Sequence, residues 1–130
     1  PGVIWAPQER KFQYQTFPSV FTATADKSTL TSQSISSAVP AAARTASILL
    51  GSTTTTANNK FAAASDGTGT GGKVTGFAGV SSTATVIGGT TALAGQAVFS
   101  DIPLITSQTV YVVAVSGAST NAMYVTDYGW

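Results

Sequence analysis

Thr109-Val110-Tyr111-Val112-Val113-Ala114-Val115, then Ser116-Gly117-Ala118-Ser119-Thr120-Asn121, then Ala122-Met123-Tyr124-Val125-Thr126-Asp127-Tyr128, is the stretch that decides the fold class. Its first seven residues are nearly all β-branched or aromatic, which suits a pleated, buried surface and disfavours a helix. Its last seven alternate Tyr124, Thr126 and Tyr128 against Met123, Val125 and Asp127, the period-2 pattern of a strand with two unlike faces. The hexapeptide between them is made of turn-forming residues. Together the three pieces predict a β-hairpin with Val110, Val112 and Tyr124 in the core.

Working outward, short strands are expected at Gln96 to Ile102, Thr83 to Ile87 and Lys73 to Ala78, with Gly88-Gly89 as a turn. Asp66 to Gly72 is the strongest loop signal. Arg44 to Leu50 places Ala46, Ile48 and Leu50 on one strand face and is closed by Gly51; Thr53 to Thr56 continues as an edge strand. Thr31 to Ala43 reads as irregular to extended, because Pro40 and the serines at 34, 36 and 37 oppose a helix. Val20 to Thr24 is a further strand, followed by a turn at Asp26-Lys27-Ser28. Polar and aromatic residues alternate in Lys11-Phe12-Gln13-Tyr14-Gln15, a half-buried strand that Pro18 ends. Pro1 to Arg10 has no period of either kind and reads as an extended arm.

The expectation is therefore all-β: one domain over residues 11–130, an antiparallel β-sandwich or jelly roll of about eight short strands, with an extended N-terminal arm over residues 1–10. A chain of 130 residues fits one core of that kind.

Composition narrows function by exclusion. Charged residues make up 8% of the chain, against roughly 25% in ordinary soluble domains. The cations Arg10, Lys11, Lys27, Arg44, Lys60 and Lys73 and the acids Glu9, Asp26, Asp66, Asp101 and Asp127 are scattered, so no basic stripe is available to track a nucleic acid. With 21 Thr, 15 Ser, 20 Ala and 13 Gly among interleaved Val, Ile, Tyr and Phe, the mixture favours strands and tight turns over disorder. Cysteine and histidine are both absent, which removes disulfides, thiolate and imidazole metal ligands, and the usual nucleophile–base pairs. No 18-residue apolar run suggests a membrane span. Proline at position 1 is a context in which an initiator methionine is trimmed, giving an expectation of cytoplasmic synthesis without a secretion signal.

Gly67-Thr68-Gly69-Thr70-Gly71-Gly72-Lys73 satisfies both GxGxxG and the GxxxxGK part of a phosphate-binding loop. Its flanks argue against one. A phosphate loop needs a buried strand before it, a helix after it and Ser or Thr after the lysine. Here Phe61-Ala62-Ala63-Ala64 precedes, Val74 follows, and Gly76 and Gly79 oppose a helix, so a hairpin loop is expected. Asp26, Asp66 and Asp101 sit at predicted turns or strand ends, where aspartate caps backbone rather than forming a catalytic pair. Thr53 to Thr56 is one threonine run without a spaced repeat, which reads as an edge strand rather than an ice-binding or glycan-bearing face. Neither a catalytic residue nor a cofactor or metal site is expected. Trp5 and Trp130, at opposite ends of the chain, fit docking anchors, with Val3 and Ile4 beside Trp5, and fit plain core filling equally well. Val74 to Ser100 carries no charge, and contact with other subunits would cover it.

Phe99-Ser100-Asp101-Ile102-Pro103-Leu104-Ile105-Thr106-Ser107-Gln108-Thr109-Val110-Tyr111, Val115-Ser116-Gly117 and Tyr124-Val125-Thr126-Asp127-Tyr128-Gly129-Trp130 resemble small β-sandwich modules of tailed-bacteriophage virions, found in head decoration proteins, head fibres and tail fibres. Ala43 to Leu50 resembles their early core strand. The resemblance covers about half the chain; residues 1–40 lie outside it. It implies a non-enzymatic virion protein, a capsid decoration (cement) or minor capsid protein made in the host cytoplasm. Such a protein self-associates, preferably as a trimer, and binds the major capsid protein or another virion protein; the resemblance leaves the attachment mode open, and the candidate contacts are the anchors Val3, Ile4, Trp5 and Trp130 read above from the residues themselves. One alternative is an extracellular pilus or fibre subunit in which Lys11 to Phe17 completes a neighbour's sheet. Another is a receptor- or carbohydrate-binding fibre module using Tyr111, Tyr124 or Tyr128 as sugar platforms. Nucleic acid and membrane are not expected partners.

Overall fold

The structure, a computed structural model, describes residues 10–52, 59–70, 73–78, 95–115 and 120–130. Among these it contains nine strands and no helix: β1 (Lys11–Gln13), β2 (Ser19–Thr24), β3 (Lys27–Ser34), β4 (Thr45–Ser52), β5 (Asn59–Ala64), β6 (Lys73–Ala78), β7 (Gly95–Pro103), β8 (Thr109–Val115) and β9 (Asn121–Gly129). They form two antiparallel sheets. Sheet A runs β1-β9-β4-β7, with β2 also on β9; sheet B runs β3-β8-β5-β6.

The order of pairing is more informative than the strand count. β2 pairs β9, β3 pairs β8, β4 pairs β7 and β5 pairs β6, all antiparallel. Four successive strands thus run against the next four taken in reverse, like one long hairpin whose tip is the loop between β5 and β6. Rolling that hairpin brings β9 against β4 and β8 against β5, which completes both sheets. This is the jelly-roll winding. β1 is a ninth strand that shares one edge of β9 with β2: β1 covers the end at Asp127 to Gly129, and β2 covers Asn121 to Tyr124. Across the gap between them, the Tyr14 N–H donates to Thr126 O and the Val125 N–H to Pro18 O, so the edge of β9 stays paired.

Two segments that read as a hairpin therefore do not pair. β8 lies in sheet B between β3 and β5, and β9 lies in sheet A between β4 and the β1/β2 edge. Each has partners on both sides, so neither keeps a free edge for the other. Both strands were legible, but their pairing was not, because the alternation of side chains does not say which sheet a strand joins. The turn expected at Asp26-Lys27-Ser28 is shorter than read, since β3 begins at Lys27; of the stretch read as irregular to extended, Thr31 to Ser34 are extended and complete β3. β4 runs through Gly51 to Ser52. Phe61 to Ala64, read only as a flank of the glycine loop, belongs to the buried strand β5. The expected strands at Thr53 to Thr56 and Thr83 to Ile87, the Gly88-Gly89 turn and nine of the ten arm residues lie outside the described residues.

The core forms where the two sheets face each other. β4 contributes Ala46, Ile48 and Leu50, β9 contributes Met123 and Val125, and β7 contributes Phe99 and Ile102. From the opposing sheet come Phe61 and Ala63 of β5 and Val110, Val112 and Ala114 of β8. Each fully buried aliphatic or aromatic side chain contributes about 1.5 to 3 kcal/mol of transfer free energy. Ile35, Ala38, Val39 and Ala43, in the link from β3 to β4, join the same cluster. That link is fixed by Ile35 N–H to Gln108 O (2.8 Å) and by the Gln108 amide to Val39 O (2.6 Å). β4 is buried on its outer face as well: Leu49, Ala122 and Tyr124 form a second cluster against which Phe17 packs.

Candidate functional site

β1 and the end of β9, each with the residue that follows it, carry aromatic residues at every second position: Phe12 and Tyr14 in one, Tyr128 and Trp130 in the other. The ladder register places Phe12 directly opposite Tyr128. Because residues two apart share a face, all four rings meet on one side of the sheet. Phe12 stacks on Tyr128 with centroids 5.3 Å apart and planes at 21°. Tyr14 meets Phe12 edge-on at 4.9 Å, and Trp130 meets Tyr128 edge-on at 5.2 Å. These are the offset and T-shaped arrangements that ring quadrupoles favour.

The inner end of this shelf is anchored. The Tyr14 hydroxyl donates to Ala38 O at 2.5 Å, and Tyr14 and Tyr128 pack against the core cluster. Burial, and secondarily the neighbouring Tyr128 phenol, raises the pKa of Tyr14 above the ordinary 10.0, so its hydroxyl remains a donor across the physiological range. The outer end is open: Phe12 is 46% exposed and Trp130 is 50% exposed.

Gly129 allows the strands to close around the shelf. A Cβ there would lie 2.9 Å from the Thr45 hydroxyl, closer than packed atoms tolerate, and 3.1 Å from Arg10 O, tighter than an ordinary contact. The same approach lets the Trp130 N–H donate to Arg10 O (3.0 Å) and the Arg44 N–H donate to Gly129 O (2.7 Å). Arg10 and Arg44, both exposed, thereby border Trp130 on its two sides. Arg10, assigned to the arm by its sequence, belongs to this sheet edge. Lys11 is paired with Asp101 at 2.7 Å.

Of the residues expected to bind a partner, Trp130 is exposed on the shelf, while Val3, Ile4 and Trp5 lie outside the described residues. Phe12, Tyr14 and Tyr128 were not singled out with Trp130. The spacing of two in each segment was visible, but its coincidence requires the pairing of β1 with β9, some 115 residues apart. Tyr124 is 4% exposed and cannot serve as a sugar platform; it packs beneath Phe17.

The glycine segment is a hairpin loop, since β5 and β6 pair directly across it. A buried strand does precede it, contrary to expectation, yet a strand follows where a phosphate loop requires a helix. Asp66 organises the loop by accepting from the Thr68 hydroxyl (2.7 Å), the Thr68 N–H (2.9 Å) and the Thr70 N–H (3.1 Å). Those bonds, led by the Thr68 hydroxyl, lower its pKa from 3.8 to about 2. Asp26 accepts from the Asn121 amide at 2.8 Å, and Asp101 holds Lys11. All three acids thus have structural partners. A groove of about 340 Å³ beside the loop is lined mainly by the apolar side chains of Leu30, Ala62, Ala64 and Val113, with Lys60 the one charged residue.

No protein-family model matches the chain, and no curated protein or solved structure matches it either.

Proposed function

We propose that the chain is a non-enzymatic structural protein of a bacteriophage virion, a capsid decoration or minor capsid protein that binds the shell and self-associates, with a trimer the preferred oligomer. The observation that carries this reading is the jelly-roll winding, a topology that serves viral capsid and lectin domains. Fold alone is an analogy, so the remaining support comes from chemistry. A chain without histidine or cysteine lacks imidazole and thiol chemistry, and its low charge suits a subunit covered by neighbours. The segments that resemble virion modules fall on β4, β7, β8 and β9, the strands that build most of the core.

Purified virions provide the test. Mass spectrometry and imaging are expected to find the chain in many symmetric copies per particle, as regular protrusions on the shell. Its absence from washed particles, or its recovery in filaments, would overturn the proposal. A glycan-binding fibre module is favoured by one observation, the exposed rings of Phe12 and Trp130, and a glycan array separates it. Micromolar binding to one sugar class that is lost in Trp130→Ala would establish that alternative.

A further inference from the structure

We infer that the Phe12–Tyr128–Trp130 shelf, bordered by Arg10 and Arg44, docks on an acidic surface of a different protein, one with an apolar recess for the two exposed rings. This deepens the virion reading and rests on it, because the partner is taken to be a shell protein.

Four large apolar side chains are exposed among the described residues: Phe12, Val98, Ile105 and Trp130. Two of these four belong to one continuous ring stack. The stack is rigid before anything binds, since its backbone is laddered on both sides of β9 and Tyr14 is tied to Ala38. Side chains already fixed lose little entropy on docking. Tryptophan and arginine beside other aromatics are also the composition of interface centres, where most binding energy concentrates.

Charge selects the occupant. Three of the chain's six cations, Arg10, Lys11 and Arg44, gather at this end of sheet A. Asp101 neutralises Lys11, whereas neither Arg10 nor Arg44 has an ion-pair partner among the described residues. A second copy using the same patch across a two-fold axis would set arginine against arginine, which disfavours an isologous dimer. Carboxylates can meet each guanidinium with paired hydrogen bonds. A nucleic acid strand fits less well, because two free cations cannot follow a run of phosphates.

The test uses the full chain and particles assembled without it. Wild-type protein is expected to co-sediment with the particles, and added salt should weaken the association. Phe12→Ala with Trp130→Ala should reduce affinity by at least about thirtyfold. Arg10→Glu with Arg44→Glu should reduce it comparably and reverse the salt dependence, since added salt then screens a repulsion. Melting curves check that both variants fold, and all four positions are exposed or half-exposed. A photo-crosslinking residue at position 130 should join a peptide of another protein rich in Asp or Glu. Wild-type protein that stays in the supernatant overturns the virion reading together with the docking surface. Wild-type protein that pellets while both variants pellet equally overturns the surface alone, as does a crosslink to a second copy's position 130, to nucleic acid or to a glycan.

Discussion

Phe61→Ala tests the architecture most directly. Phe61 is the largest of the fully buried side chains among the described residues, and it lies on β5, the strand that sequence reading passed over. It sits in the core shared by the two sheets, and β5 is held between β8 and β6. Removing a phenyl ring from such a site costs about 3 to 5 kcal/mol, as transfer free energy plus the cavity left behind. A 130-residue domain unfolds with an entropy of about 0.27 kcal/mol/K near 60 °C, so the melting temperature should fall by about 11 to 18 °C. Phe61→Leu, which keeps most of the volume, should recover more than half of that loss. Calorimetry gives the shift, and urea titration should show a lower midpoint at unchanged slope. A fall below about 4 °C for the alanine variant would mean less than about 1 kcal/mol, and the ring could not then be packed between the sheets.

Ser47 is 1% exposed, and its hydroxyl accepts the Asp101 N–H at 2.9 Å, where Asp101 adopts a left-handed φ of 54°. Ser47→Ala leaves that N–H unpaired and should cost about 1 to 3 kcal/mol in a denaturant midpoint assay, whereas no change would show that water replaces the hydroxyl. The Asp66 carboxyl should titrate by NMR near pH 2, because its depressed pKa means that the Thr68 and Thr70 bonds are fully present above about 4 and lost as pH falls through about 2. A midpoint near 4 would show that the loop bonds are absent in solution. Calorimetry with ATP and magnesium should register no binding, since the segment before Lys73 closes a hairpin; micromolar affinity removed by Lys73→Ala would contradict this.

What the sequence disclosed and withheld follows from the range of each signal. β4, β7, β8 and β9 were legible because apolar alternation and β-branched content act within a few residues. β5 was missed because Ala62, Ala63 and Ala64 carry the highest helix propensity; packing overrides it, as small side chains fit a strand with a neighbour on each edge. The sheet membership of β8 and β9 was out of reach for another reason. It depends on which edges are already taken by β3, β5 and β4, and no local pattern encodes that. The shelf shares this property: Trp130 stood out by type, but Phe12 became its companion only through the register with Tyr128.

The rolled hairpin also dictates when the domain comes into being. Ser19 must find Tyr124 across 105 residues, and Lys27 must find Ala114 across 87, so closure depends on the slowest class of contacts. β9 is translated after the other eight strands, yet it lies inside sheet A with β4 on one edge and β1 and β2 on the other. Until it emerges from the ribosome, Ile48, Leu49 and Leu50 have no cover on that edge, and a charge-poor nascent chain has little repulsion to keep copies apart. Since Tyr128 is the penultimate residue of β9 and Trp130 follows the strand, the shelf cannot exist before β9 has been made. If the shelf docks on a partner as inferred above, only chains whose β9 is already laddered between β4 and β1 present the complete surface.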